Sequence, residues 1–403
     1  MTLTLLLDLD DTLLDTRMDA FIPAYFQALS EALADDVDPR AMLTALMDGT
    51  RCMMANQNPA RSLRQVFDSV FFPALGIDRD CLQSRIETFY DNVFPSLGQL
   101  TRPRPGAVEL VEWAFGQGHR VVIATNPLFP LKAIHHRMRW AGLPPEKYPF
   151  ALVASYETFH FTKPSPAFYA EVLAQLGWPD DPVVMVGDDV ENDLKPVSAL
   201  GIPVFWIENP GASLPEGLTP AGRGRIGEVR AWVESLDLTA CQPDLSRPEA
   251  LLSVLRAIPA ALSRLTHGLS ETAWRCKPEP GEWCLVQLMC HLRDVENDVN
   301  LPRVRKILAE ENPFIPGEVT DRWIEEREYA QQDGPLALAE FITARTETLG
   351  LLAALDAGSW LRPARHNIFG PSTLLELMGF VAEHDRSHIR QVLATIAAAA
   401  EIV

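Results

Sequence analysis

Alternating carboxylates close the first apolar run of this chain. Asp8-Leu9-Asp10-Asp11-Thr12 follows Leu3–Leu7 directly. Acids at every second position past a strand's end can turn both carboxylates into the crevice where open α/β sheets bind ligands. Three further groups suit phosphoryl transfer. Thr125-Asn126 ends a second apolar run and offers a hydroxyl and backbone N–H groups to a phosphate oxygen. Lys163-Pro164 lies in a loop after a third run, where an ammonium offsets negative charge. Gly187-Asp188-Asp189-Val190-Glu191-Asn192-Asp193 ends a fourth and supplies hard oxygen ligands of the kind Mg²⁺ takes. Taken singly, Thr125 reads as a helix N-cap, Lys163 as a solvated lysine, and Asp189 and Asp193 as first-turn helix acids. Four such motifs in order, each closing a strand, are not explained that way.

A second constellation is built from histidine. His384 and His388 stand at i, i+4, one turn apart on one helix face. With His291 from another helix they would complete a three-ligand site with an open position. Spacing alone leaves coincidence open.

These residues need elements to hold them. Apolar runs at Leu3–Leu7, Arg120–Thr125, Ala151–Ser155, Val183–Gly187 and Pro203–Ile207 read as strands buried on both faces. Helical patterns such as Leu131–Ala141 and Ala167–Leu176 lie between them. The alternation predicts an α/β fold with a doubly wound parallel sheet. Residues 17–99 show helical periodicity and almost no strand signal, which predicts a helical cap inserted over the sheet's carboxyl edge. The core is then 1–16 with 100–235, and 236–247 form an acidic, proline-containing linker. Helices at about Pro248–Leu265, Glu282–Glu310, Leu336–Leu355 and Ser372–Ala399 predict an all-α four-helix bundle over 248–403.

Composition bounds the partners. The 403 residues carry a net charge of −19, so nucleic acid and anionic membrane surfaces are expected to repel the chain. Arg303, Arg305 and Arg390 occur singly among acids and form no basic stripe. No stretch reaches the ~18 apolar residues of a membrane span, and the six cysteines show no CxxC pair. The expectation is a cytoplasmic protein with scattered thiols.

The four acidic, threonine and lysine motifs together resemble those of the haloacid dehalogenase superfamily, in the subgroup with a helical cap after the first motif, over residues 1–235. The resemblance implies that Asp8 attacks phosphorus to give an aspartyl-phosphate, and that Asp10 protonates the leaving oxygen and then activates water. It implies that Thr125, Asn126 and Lys163 hold the phosphoryl group. Mg²⁺ would lie on Asp8, the backbone carbonyl of Asp10 and Asp188, with Asp189 or Asp193 close by. Dehalogenating members lack the second acid, because a halide needs no proton; Asp10 therefore favours a phosphatase of a small phosphorylated metabolite. His160 departs from the glycine many relatives carry there. Arg51, Arg61 and Arg64 in the cap are candidates for a second anionic group, with a plain surface role as the simpler reading.

Trp274, Lys277-Pro278, Pro280-Gly281-Glu282-Trp283, Leu288-Met289-Cys290-His291-Leu292 and His384-Asp385-Arg386-Ser387-His388 resemble the DinB-like domain, over residues 245–403. The resemblance implies a divalent transition metal, Zn²⁺ or Ni²⁺, on His291, His384 and His388. Similar families include thiol-dependent transferases and isomerases, so a low-molecular-weight thiol is an expected partner if this site is catalytic. Asp294 is read as a surface acid or an orienting group, and His267 and His366 as loop residues. A bundle that serves only as an interaction module, with the chain a homodimer, is the remaining alternative.

Overall fold

A computed structural model describes residues 2–402. They form two compact units, one mainly up to Pro243 and the other mainly from Asp244 onward.

The first unit is built on six parallel strands: β1 (Thr4–Leu7), β2 (Arg120–Ile123), β3 (Leu152–Val153), β4 (Val183–Gly187), β5 (Val204–Ile207) and β6 (Gly222–Gly224). Their order across the sheet is β3-β2-β1-β4-β5-β6. All pair in parallel, with Leu5 opposite Val121 on one side and Val184 on the other. A central strand with two partners and helices on both faces meets no water, which is why Leu5, Leu6 and Leu7 are fully buried and the run is continuous rather than alternating. The short edge strand β6 is an addition to the five strands read from the sequence. The order reverses beside β1, so β1, β2 and β4 deliver their carboxyl ends to one crevice.

The cap holds four helices, α1 (Met18–Leu33), α2 (Pro39–Met54), α3 (Leu63–Leu75) and α4 (Arg79–Thr88). Ser62 starts α3 with a capping box: its hydroxyl accepts from Gln65 N, and the Gln65 side chain accepts from Ser62 N. The cap has an aromatic core of its own around Phe21, Tyr25, Phe89 and Phe94. The sheet is flanked by α5 (Ala107–Gly116), α6 (Leu131–Trp140) and α7 (Pro166–Gln175).

The second unit contains α8 (Pro248–Thr266), α9 (Leu285–Val295), α10 (Gly334–Ala353) and α11 (Leu374–Ile402). Beyond α9 the helix widens into a π turn at Glu296–Asn300 before continuing as Leu301–Ala309. Pro302 lacks the N–H that a normal α-helical turn would use, which accounts for the change of winding. The periodicity predicts a purely helical unit, and the four long helices are there, but the unit is not helical throughout. It also carries a three-stranded sheet of β7 (Phe314–Ile315), β8 (Pro363–His366) and β9 (Gly370–Thr373). Among the described residues no helix is long and apolar enough to cross a membrane.

Candidate functional site

Asp8 directly follows β1 and is 6 % exposed. Its Oδ1 accepts from Lys163 Nζ at 2.7 Å, and the same ammonium donates to Asp193 Oδ1 at 2.6 Å. Lys163 is buried; burial pulls its pKa down, but Asp193 and Asp8 outweigh that and hold it above its ordinary range. The loop before it is anchored by His160, whose backbone N–H donates to Glu171 Oε2 at 3.0 Å while its ring Nδ1 lies 2.7 Å from Glu171 Oε1. The departure noted at His160 thus places a buried histidine–glutamate contact three residues before the lysine.

Asp188 leaves β4 beside this pair. Thr12 Oγ1 and Asn209 Nδ2 donate to its two oxygens at 3.3 and 2.7 Å, and Trp206 Nε1 donates to its carbonyl at 2.8 Å. Asp193 Oδ2 accepts from the backbone N–H groups of Asp188 and Asp189, both at 3.1 Å, which folds the acidic loop onto itself. Oxygens of Asp8, Asp188 and Asp193 all lie within 4.8 Å of one another. Burial, with Asp8 and Asp193 adding to it, pushes Asp188 up to about 8. Burial also lifts Asp193 to about 6, against the opposing charge of Lys163. Three carboxylates with one ammonium between them carry uncompensated negative charge, and a hard divalent cation fits this donor set.

Asp10 turns away from that trio. Its Oδ1 accepts from Thr16 Oγ1 at 2.6 Å, and its other oxygen pairs with the buried guanidinium of Arg137. Burial pushes Arg137 down to about 10, opposed by the charge of Asp8. Its guanidinium stands 5.2 Å from the Phe129 ring centre. Thr125 is buried at the end of β2, and Asn126 Oδ1 is buried without a hydrogen-bond partner among the described residues.

Asp189 does not join the cluster. It is exposed and caps the following turn, accepting from Glu191 N and Asn192 N at 2.8 Å each, because a residue that must fold the loop cannot also face the crevice. Arg51 is exposed and pairs with Asp48 at 2.6 Å, and Arg61 donates to the carbonyl of Gln65 at 2.8 Å. Arg64 is half-buried beside Asp68. Arg137, Trp206 and Asn209 were not read from the sequence. The only signal for the last two is that they lie at and just beyond the end of β5, on the ligand-binding edge.

In the second unit His291 from α9 meets His384 and His388 from α11. His384 Nε2 lies 3.1 Å from His291 Nε2 and 3.0 Å from His388 Nε2. Burial, then the neighbouring histidines, push His291 down to about 3; burial and His384 push His388 down to about 4. Three imidazoles aiming Nε2 at one point fit a divalent transition metal. His388 Nδ1 lies 2.7 Å from Gln391 Oε1, and the Trp283 ring stacks on His388 with centres 5.9 Å apart.

Asp294 is no surface acid: it is buried and accepts from Arg293 at 2.6 Å, Arg327 at 2.6 Å and Tyr329 at 2.8 Å. His366 is buried at the end of β8, where its Nδ1 accepts from Ile368 N at 3.2 Å and Phe369 N at 3.3 Å, so it shapes a hairpin rather than a free loop. His267 is exposed just past α8.

Comparison with known proteins divides at the same place. The family model for haloacid dehalogenase-like hydrolases matches residues 2–201, and that for the DinB superfamily matches residues 255–392. A phosphoglycolate phosphatase from Mesorhizobium japonicum is 26 % identical over 206 residues, spanning 50 % of this chain and 80 % of its own. Another from Rhodospirillum rubrum is 27 % identical over 202 residues, spanning 49 % and 76 %. YfiT from Bacillus subtilis, a protein with an unusual four-helix bundle topology, is 22 % identical over 37 % of this chain and 85 % of its own, with a TM-score of 0.34.

Proposed function

Because the family model for haloacid dehalogenase-like hydrolases matches residues 2–201 and that for the DinB superfamily residues 255–392, we propose that the first domain is a Mg²⁺-dependent phosphatase of a small phosphorylated metabolite. The observation that carries this reading is the convergence of Asp8, Lys163, Asp188 and Asp193 at the end of β1 and β4, with Asp10 held apart from them. Asp8 is the nucleophile: its carboxylate forms a bond to phosphorus as the ester P–O bond breaks, giving an aspartyl-phosphate. The proton on Asp10 goes to the departing alkoxide. Asp10, now a carboxylate, takes a proton from water; the water oxygen bonds to phosphorus, the P–O bond to Asp8 breaks, and phosphate leaves. Lys163, Thr125 and Asn126 hold phosphoryl oxygens, and Lys163 also keeps Asp8 aimed. Asp8, the Asp10 carbonyl and Asp188, with Asp193 close by, would hold Mg²⁺, which would supply positive charge to the transferring group.

The convergence of the three Nε2 atoms favours a second reading for the bundle: a Zn²⁺ or Ni²⁺ site on His291, His384 and His388 that activates a thiol or a water. Phosphate release from sugar phosphates, phosphoglycolate and nucleoside monophosphates, with Mg²⁺ and with EDTA, tests the first reading. Turnover that needs both Mg²⁺ and Asp8 is expected, and a folded protein that releases phosphate neither from these nor from acetyl phosphate and simple aryl or alkyl phosphates ends it. Metal analysis of the intact chain beside His384→Ala tests the second, with about one bound transition metal expected in the former only.

A further inference from the structure

We infer that the organic half of the substrate is an uncharged apolar or aromatic group, larger than a two-carbon acid, bound in a cavity beneath the cap. This rests on the phosphatase reading above and specifies its leaving group. The cavity has a volume of about 340 Å³. Leu29, Leu46, Phe71 and Phe72 form its cap wall, and Phe129 and Tyr156 its core wall.

The core wall ties the cavity to the chemistry. Phe129 stands four residues beyond Thr125, and its ring is covered by the Arg137 guanidinium that pairs with Asp10. Tyr156 belongs to the segment between β3 and Lys163. The two segments that carry the phosphoryl-binding groups therefore also build the cavity wall, on the side where Asp10 would hand its proton to the leaving oxygen.

Most of the polar groups around the cavity have partners within the protein. The Tyr25 and Tyr90 hydroxyls bond to each other at 3.0 Å, and Glu157 accepts from Leu131 N at 3.0 Å. Arg64 and Arg79 both face Asp68, at 3.7 and 3.5 Å, and Lys132 faces Asp91 at 2.8 Å. A leaving group with its own carboxylate would have to compete with Asp68 and Asp91 for the same cations, close to the carboxylate of Glu157. An apolar body asks for no such exchange and gains by leaving water. The reaction is R–O–phosphate plus water to R–OH plus phosphate, with the ester P–O bond broken and R apolar.

The test measures kcat/KM with Mg²⁺ for acetyl phosphate, phosphoglycolate, phenyl phosphate, 1-naphthyl phosphate and n-octyl phosphate. Naphthyl or octyl phosphate is expected to exceed phosphoglycolate by at least about tenfold, the discrimination that apolar pockets reach. Thr50 lies on the cavity wall, and Thr50→Trp should shrink that ratio by filling the space; Thr50→Phe serves if the larger ring prevents folding. Phosphoglycolate turned over as well as the bulky esters, or a ratio unmoved in both folded variants, overturns the inference. Hydrolysis of acetyl phosphate alongside that result would leave the phosphatase reading standing. Failure on every compound, acetyl phosphate included, would overturn both.

Discussion

The acid cluster on the sheet and the histidine cluster in the bundle are both trios of potential metal ligands with two members buried and one half-buried, yet their protonation is disturbed in opposite directions. Burial raises Asp188 to about 8 and Asp193 to about 6, and it lowers His291 to about 3 and His388 to about 4. Each environment resists the charge its own side chains would carry. A cation relieves the acid trio by cancelling surplus negative charge, and it suits the imidazoles because burial disfavours the charged forms of His291 and His388 and the three Nε2 atoms converge. Oxygen donors suit Mg²⁺ and nitrogen donors suit Zn²⁺ or its neighbours. The difference teaches that one chain can offer two sites suited to different metals through their donor chemistry.

The largest effects expected would test that separation directly. Asp8→Asn should lower phosphate release by about 10⁴-fold or more, as loss of a nucleophile does, while the bundle's transition-metal content stays near the parent value. His384→Ala should do the reverse, losing the bundle metal and leaving kcat/KM for the phosphate ester within about twofold. Metal analysis and phosphate release on both variants decide it. A variant that impaired both readouts would show the two sites to be coupled.

Next in size is the support behind the histidines. Arg345 is 1 % exposed and donates to Asp385 Oδ2 at 2.5 Å and Glu296 Oε2 at 2.7 Å. Asp385 Oδ1 in turn lies 3.5 Å from His384 Nδ1. Burial raises the pKa of Asp385, but Arg345 outweighs it and holds the carboxyl below its ordinary range. That depressed pKa contributes stability above the unfolded carboxylate value of about 4, lost as pH falls through the folded one. Arg345→Met would leave two buried carboxylates without their cation, and a loss of about 3–5 kcal/mol is expected. Amide hydrogen exchange should speed up through α8–α11 and stay unchanged in β1 and β4. Unchanged protection in the bundle would show the ion cluster to be energetically idle.

The sheet site was far more legible in the sequence than the bundle site, for physical reasons. A strand buried on both faces must be apolar, so an acid at its end marks both the boundary and the crevice, as Asp8 and Asp188 do. The i, i+4 rule places His384 and His388 on one face, but no local rule brings His291 to them across 93 positions. Arg137 sits in Leu131–Trp140 among Lys132 and Arg139, where nothing in the pattern separates a buried guanidinium from exposed ones. Asp294 depends on Arg327 and Tyr329, 33 and 35 residues away, so its burial had no local signature. The edge strand Gly222–Gly224 is three residues with two glycines, too short and too featureless for a periodicity. The hairpin Pro363–His366 with Gly370–Thr373 interrupts a region otherwise read as helix and loop.

Arg137 sharpens the comparison on the sheet side. It touches Asp10 rather than the trio of Asp8, Asp188 and Asp193, so under the proposed mechanism it is a positioning residue. Arg137→Met keeps the aliphatic stem of the side chain while removing the guanidinium, its charge and its contact with Phe129. A fall in kcat of about 10²-fold with KM little changed is expected, since the proton transfer it supports contributes about 10²–10⁴. The acidic limb of the kcat profile should shift as well. A purely structural role would instead lower the fraction of folded protein and leave the profile of the remainder where it was.

The smallest effect belongs to Gln391. His388 can ligate through Nε2 only in the tautomer that keeps a proton on Nδ1, and that nitrogen lies 2.7 Å from Gln391 Oε1. The amide oxygen is an acceptor, so it selects the ligating tautomer and fixes the ring's direction. Gln391→Leu removes the acceptor from an exposed position of α11 without touching the core. Transition-metal affinity should fall by about tenfold, at the low end of what such outer partners contribute because water can replace the amide. Gln391→Glu should restore or exceed the parent affinity, since a carboxylate accepts the same proton more strongly. Competition with a chelator of known affinity measures all three proteins. Equal affinity across them would mean that His388 is oriented by its packing against Trp283 alone.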